Sequence, residues 1–150
     1  MLAGTGYWDI YERFLGYVSD DYLAALSDDA LEEQLLPVLG SAIYDLYRLA
    51  LKAGFDLENR CDQAQCFNIV LGDNEIECLA VLMVVKWTEQ QLNSSRLIEQ
   101  QYYDAGIKTY SPNETMKNLL TLHEQYIKKA KSKLHEYAFR TTPIDSLGGN

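Results

Sequence analysis

The chain has 150 residues, 47% of them hydrophobic and 23% charged, with a formal net charge of −9. That length and composition suit one globular domain with a real core, and only three prolines and nine glycines argue against an all-β or disordered chain. The acid excess is uneven: residues 1–107 carry 18 acids against 6 bases, and residues 108–150 carry 4 against 7. An acidic body disfavours nonspecific nucleic-acid affinity, which needs lysine and arginine on phosphate.

Met1–Gly6 has neither the basic lead nor the long apolar run of a secretory signal. The three cysteines, Cys61, Cys66 and Cys78, are odd in number and point to a reduced compartment.

Tyr7–Tyr17 reads as a first short helix, with Tyr7, Ile10, Tyr11, Phe14, Tyr17 and Val18 on one stripe. Ser19-Asp20-Asp21 caps a brief second helix through Leu26. Ser27 is the expected N-cap of a longer third helix reaching about Leu49, with Asp28, Asp29, Glu32 and Glu33 at its positive end. Pro37 lies inside that helix and predicts a kink near Glu33–Leu36. Residues 50–72 lose the helical period, and Cys66–Leu71 is read as a short strand or an extended arm.

The centre of the chain is the run from Glu75 to Trp87. Ile76, Leu79, Ala80, Met83, Val84 and Trp87 form one apolar helical face, and Cys78, Val81, Leu82 and Val85 cover most of the remaining circumference. A helix apolar nearly all round has to be enclosed by neighbours. Its unbroken apolar run, Cys78–Val85, is eight residues, against about 20 for a bilayer span, so it is a core helix, expected from about 73 to 93. Asn93-Ser94-Ser95 predicts a bend or break, with helix again from Arg96 to Tyr103.

Ser111-Pro112-Asn113-Glu114 is a capping box with proline at N1. It opens a long helix over about 112–138, with Met116, Leu119, Leu120, His123, Tyr126, Ile127, Ala130, Leu134 and Tyr137 on one face. Residues 139–150, with Pro143, Gly148 and Gly149, read as a non-helical tail. The expected fold class is therefore all-α. A helical bundle surrounds the central apolar helix, residues 1–138 form a single domain, and 139–150 form a C-terminal tail.

The search for chemistry finds no phosphate-cradling glycine loop, no His-Glu-x-x-His and no Gly-x-Ser-x-Gly. His123 and His135 lie 12 residues apart on one predicted helix, too far for one metal. Cys61 and Cys66 share a polar loop but lack the further ligands a zinc site needs. The acidic pairs Asp28/Asp29, Glu32/Glu33 and Glu75/Glu77 do not point the same way on a helix. Catalytic, cofactor-binding and metal-binding residues are therefore expected to be absent. The sharpest surface feature is a basic run, Lys128, Lys129, Lys131 and Lys133. It suits the negative end of a helix dipole, or an acidic partner. Eleven tyrosines and two tryptophans exceed what one small core needs. Tyr44 with Tyr47, and Tyr102 with Tyr103, point partly away from the core stripes, which favours self-assembly or stable partner contacts.

Four stretches carry a resemblance. They are Tyr7-Trp8-Asp9-Ile10-Tyr11-Glu12-Arg13-Phe14-Leu15; the acidic Ser27-capped helix ending in Ser41-Ala42-Ile43; Phe67–Trp87 with Glu75-Ile76-Glu77 opening the core helix; and Tyr110-Ser111-Pro112-Asn113-Glu114 leading to a helix closed by Tyr137-Ala138-Phe139-Arg140. In this order they resemble the small helical head-to-tail connector proteins of tailed bacteriophages, the adaptor or neck group. The resemblance implies a non-enzymatic structural protein of the virion, made in the host cytoplasm and needing no cofactor. It implies a ring, typically dodecameric, that extends the DNA channel beneath the portal. Partners would be other copies of itself, the portal protein and the next neck or tail protein, with DNA only as non-specific cargo and no membrane contact. Portal docking would fall to Phe139, Arg140, Thr141, Thr142, Pro143, Ile144 and Leu147, with the lysines beside them. The alternative is an intracellular helical protein–protein interaction module with no virion role. A third reading is a small metal-dependent hydrolase built on the acidic pairs.

Overall fold

The run Ile76–Val84 decides the arrangement, because every residue in it but Glu77 is buried. The computed structural model describes residues 4–18, 21–49, 56–104, 106 and 114–141, with backbone alone at 21–22, 49, 95–104, 114–115 and 138–141. The order is α1 (Tyr7–Tyr17), α2 (Asp21–Ala24), α3 (Asp28–Leu49), β1 (Arg60–Cys61), β2 (Cys66–Phe67), α4 (Asp73–Asp104) and α5 (Glu114–Thr141). It is a mostly helical fold with one small antiparallel arm. Helix α4 packs against α1, α3 and α5, and so meets neighbours on all its apolar sides.

Each neighbour brings its own stripe. Helix α1 buries Tyr7, Ile10, Tyr11 and Phe14, and Phe14 meets Trp87 of α4 edge-on at 6.3 Å between ring centroids. Such a pair adds about 0.5–1.5 kcal/mol beyond the area it buries. Helix α3 buries Leu31, Leu35, Val38, Leu39, Ala42, Ile43 and Leu46 at helical spacing. Its cap is the expected one: Ser27 Oγ accepts from the Ala30 N–H at 3.3 Å. At the head of α4 the Gly72 N–H donates to Glu75 Oε1 at 3.3 Å, so a nearly buried carboxylate closes the first turn.

The arm is more than a hairpin. Strands β1 and β2 pair antiparallel with Arg60 opposite Phe67 and Cys61 opposite Cys66. Residues 4–7 then run along the other side of β2. The Thr5 N–H donates to Ile69 O at 2.9 Å, Phe67 N–H to Thr5 O at 2.8 Å, and Tyr7 N–H to Gln65 O at 2.8 Å. The Leu71 N–H donates to the buried Thr5 Oγ1 at 2.8 Å. Gly4 sits so close to β2 that a Cβ would lie 2.2 Å from Phe67 O and 2.4 Å from Ile69 O.

Several expectations change. Helix α4 runs through Asn93-Ser94-Ser95 to Asp104, so of the expected bend or break the break does not occur. Asn93 and Ser94 face solvent while Leu92 is buried, and their weak helix propensity costs only a few tenths of a kcal/mol each. The second helix is a single turn ending at Ala24, not Leu26. The regular strand covers only 66–67, and residues 68–71 continue it as an extended arm tied by Asn68 to Asn59 and by Ile69 and Leu71 to Thr5. Helix α5 extends to Thr141, so Phe139, Arg140 and Thr141 are helical rather than tail. Leu120 was placed on the core face and is instead 42% exposed. Helix α3 runs through Pro37 to Leu49 as expected, with Pro37 exposed. Ser19-Asp20, the loop at 50–55, the 107–110 connector, most of the capping box at 111–114 and the tail at 142–150 lie outside the described residues.

Three of the glycines predict two opposite outcomes. Gly4→Ala should lower stability by about 1–3 kcal/mol, since backbone atoms fill the space. Gly40→Ala, with nothing within 4 Å of the added Cβ in mid-helix, should raise it by about 0.5–1 kcal/mol. Gly16→Ala in α1, equally open, should resemble Gly40→Ala. Urea denaturation of the three variants checks the ranking.

Candidate functional site

The basic run divides by helical geometry. Positions 128 and 131 share one face of α5, and 129 and 133 share another. Lys128 and Lys131 are exposed, and Lys129 and Lys133 are half-buried. Lys129 Nζ sits 4.2 Å above the Tyr17 ring centroid and 5.1 Å from that of Tyr126. The two rings are 5.6 Å apart. The Lys133 carbonyl accepts a long contact from the Cys78 thiol at 3.8 Å. Lys129 by its side chain and Lys133 by its backbone are thus tied into the packing of α1, α4 and α5, and Lys128 and Lys131 face solvent.

The junction under Lys129 is polar and complete. The Tyr17 hydroxyl donates to the Glu77 carboxylate, 2.5 Å from Oε1 and 2.8 Å from Oε2. Burial, then the Glu77 hydrogen bond and charge, push the Tyr17 pKa up to about 12. Burial and the Glu77 charge also raise Tyr126. Lys129 above the rings offsets that charge through a cation–π contact worth about 0.5–2 kcal/mol. These groups hold three helices together.

A second surface lies between α3 and α4. Tyr44 is 64% and Tyr47 is 55% exposed, as the stripe analysis expected. Tyr44, Pro37, Gly40, Ser41, Arg48 and an Asp45–Lys86 ion pair line an open groove of about 600 Å³. The pair is 3.2 Å long, and its Asp45 side chain is only 13% exposed. The groove therefore has a fixed polar floor, a glycine and a proline that leave its wall low, and an aromatic rim. Sequence reasoning named the tyrosines and missed the floor. An acid on α3 facing a base on α4 shows only when the helices are docked.

Other candidate residues have structural partners. His123 is half-buried, and its Nδ1 lies 2.8 Å from Thr88 Oγ1, which also lies 2.8 Å from Val84 O. The carbonyl can only accept, so the threonine proton goes there and the imidazole Nδ1–H donates to the hydroxyl. Cys78 is buried, and burial beside Glu75 pushes its thiol up to about 12. Asp28 and Asp29 lie in the first turn of α3, where the helix dipole favours them. Among the described residues no three His, Cys, Asp or Glu side chains gather as a metal site. Of the expected docking residues, Phe139, Arg140 and Thr141 lie on the last turn of α5 with backbone alone described, and Thr142, Pro143, Ile144 and Leu147 lie outside the described residues. For Tyr102 and Tyr103 the helix backbone alone is described. No described helix is long and apolar enough to cross a membrane. Comparison with protein-family models, with curated proteins and with solved structures finds no match for this chain.

The buried tyrosines predict an alkaline limit. Burial raises Tyr7, Tyr11, Tyr17, Tyr126 and Tyr137 above their ordinary value of 10. In the folded chain these phenols hold their protons to higher pH than in the unfolded chain. Their contribution is therefore whole below pH 10 and is lost as pH rises towards 12 and beyond. Thermal melts should fall steeply over that range. Tyr17→Phe should cost about 1–3 kcal/mol at neutral pH by leaving Glu77 without its donor, and should make the alkaline fall shallower. A melting series of wild type and variant from pH 7 to 12 checks both.

Proposed function

We propose that this chain is a non-catalytic building block of a head-to-tail connector ring in a tailed-phage particle. It binds further copies of itself, the portal protein and the next neck or tail protein, and DNA passes only as non-specific cargo. The observation that carries this reading is the pair of exposed tyrosines on α3, Tyr44, which lines the groove, and Tyr47 three positions on. Large aromatic side chains with one apolar face and one polar tip are the residues that interfaces favour. A second patch on another copy that matches this groove makes a head-to-tail contact, and such contacts close into rings by rotation.

Three other features support it. The order of helices and their sequences resembles the adaptor group. The acidic balance of residues 1–107 lets a duplex pass without adhering. Lys128 and Lys131, exposed near the middle of α5, are open to an acidic surface.

Native mass spectrometry of the chain with the portal protein of the same phage, together with imaging of particles, tests the reading. Wild type should assemble on the portal and should be found in the neck. Tyr44→Ser with Tyr47→Ser should keep the wild-type melting temperature, because both side chains are exposed, yet weaken assembly at least 30-fold, the loss of about 2 kcal/mol expected of one hot-spot residue. A chain that stays monomeric with portal present and is missing from particles overturns the proposal. Recovery with a soluble non-particle protein would replace it with the interaction-module reading.

A further inference from the structure

We propose that Cys61 and Cys66 close into an intramolecular disulfide on exposure to a low-molecular-weight disulfide, and that the bond clasps the arm to which residues 4–7 are tied. The proposal rests on register and stands apart from the ring reading. The two cysteines face each other directly across the antiparallel pair β1–β2. Facing residues present their side chains on the same side of the sheet. Phe67, the neighbour of Cys66, is fully buried, so strand alternation sends Cys66 and its partner to the other side. Both are half-exposed and carry free thiols, within reach of a small oxidant.

The separation also suits a disulfide. The Asn68 N–H donates to Asn59 O at 2.9 Å, two positions outward from the cysteines. Hydrogen-bonded and non-bonded pairs alternate along such a ladder, so Cys61 and Cys66 occupy a bonded pair, with Cα atoms about 5.5 Å apart. That lies inside the range of about 4.4–6.8 Å that a disulfide spans.

The turn between them is pinned. The Tyr7 hydroxyl donates to Asp62 Oδ1 at 2.6 Å, Arg60 Nε lies 3.5 Å from the same oxygen, and Gln65 Nε2 donates to Asp62 O at 2.8 Å. The strands therefore cannot slip by one residue without breaking these contacts. Cys78 lies buried on α4 against the Lys133 carbonyl and is no competitor.

The chemistry balances as two exchanges. One cysteine, as thiolate, attacks a sulfur of the oxidant RSSR, forms a mixed disulfide and expels RS⁻. The second cysteine, as thiolate, attacks the protein sulfur of that mixed disulfide and expels the second RS⁻. The two protons given up by the cysteines end on the two RSH released. The protein is oxidised by two electrons and the oxidant is reduced by two. In a reduced compartment the pair stays as dithiol, and it closes when the chain leaves that compartment.

The experiment uses the full chain and oxidised glutathione. After exposure the protein is denatured, free thiols are blocked with N-ethylmaleimide, and the intact mass is read. The expected product is two mass units lighter than the reduced chain before blocking and takes up one maleimide, at Cys78. A protease that cuts before aspartate separates residues 56–61, 62–72 and the Cys78 peptide. The first two should travel together until a reductant is added. The oxidised chain should melt about 5 °C higher, and the gain should vanish with dithiothreitol and in Cys61→Ser with Cys66→Ser. Separate glutathione adducts on Cys61 and Cys66, disulfide-linked dimers, three free thiols or an unchanged melting temperature would each overturn the clasp.

Discussion

The structure depends on one requirement: a helix apolar on every side must have every side covered. Between Cys78 and Val84 there is no solvent face to leave free. Two helices packed against α4 would leave a strip of valine, leucine or methionine in water, at about 25 cal/mol for each Å² of apolar surface. Three helices remove that strip, and α1, α3 and α5 are the three. The amphipathic stripes of α1 and α3 follow from the same requirement, because each has to present one apolar face to α4 and one polar face outward. The order of packing is thus set by the middle of the chain rather than by its ends.

Helix α1 has a second constraint, since it is short. Eleven residues form at best a marginal helix alone. Its entry is therefore fixed by the arm. Residues 4–7 hydrogen-bond along β2, Gly4 has no room for a side chain, and Tyr7 is held at both ends of its ring, by Phe67 at 5.1 Å and by Asp62 through its hydroxyl. The far end of α1 is fixed by Tyr17 on Glu77. These contacts join residues more than 50 positions apart, which is how a short N-terminal helix is kept in the core.

Periodicity explains what was legible in the sequence. Helices α1 and α4 announced themselves because their apolar residues repeat at helical spacing, and Ser27 announced α3 because capping is a local event. The ends were harder. Asn93-Ser94-Ser95 reads as a breaker only if the chain is alone. With Leu92 buried and the polar side chains in water, the helix has no reason to stop. Phe139–Thr141 contain no glycine or proline, so the long helix continues past the point where composition alone suggested a tail. The tie between residues 4–7 and the arm was illegible, since it depends on Gly4 and Thr5 meeting Ile69 and Leu71 across more than 60 residues. So was the Asp45–Lys86 floor, where neither residue carries a sign of the other.

The lysine run shows why a string of like charges is not yet a surface. Four lysines in six positions suggest one patch, but a helix turns 100° per residue and sends them to different faces. Lys129 is used up by the Tyr17 and Tyr126 rings, where its charge sits above two phenols, one of which is bonded to Glu77. Its contribution is cohesion between α1 and α5. Only Lys128 and Lys131 stand free in water among the four, and two exposed lysines on one face attract an acidic partner weakly and in a salt-dependent way. Any tight association therefore has to come from buried aromatic area, and Tyr44 and Tyr47 are the large aromatics that the described surface leaves most exposed. Among the described residues α3 thus carries the large exposed aromatic area, and the middle of α5 carries only exposed charge.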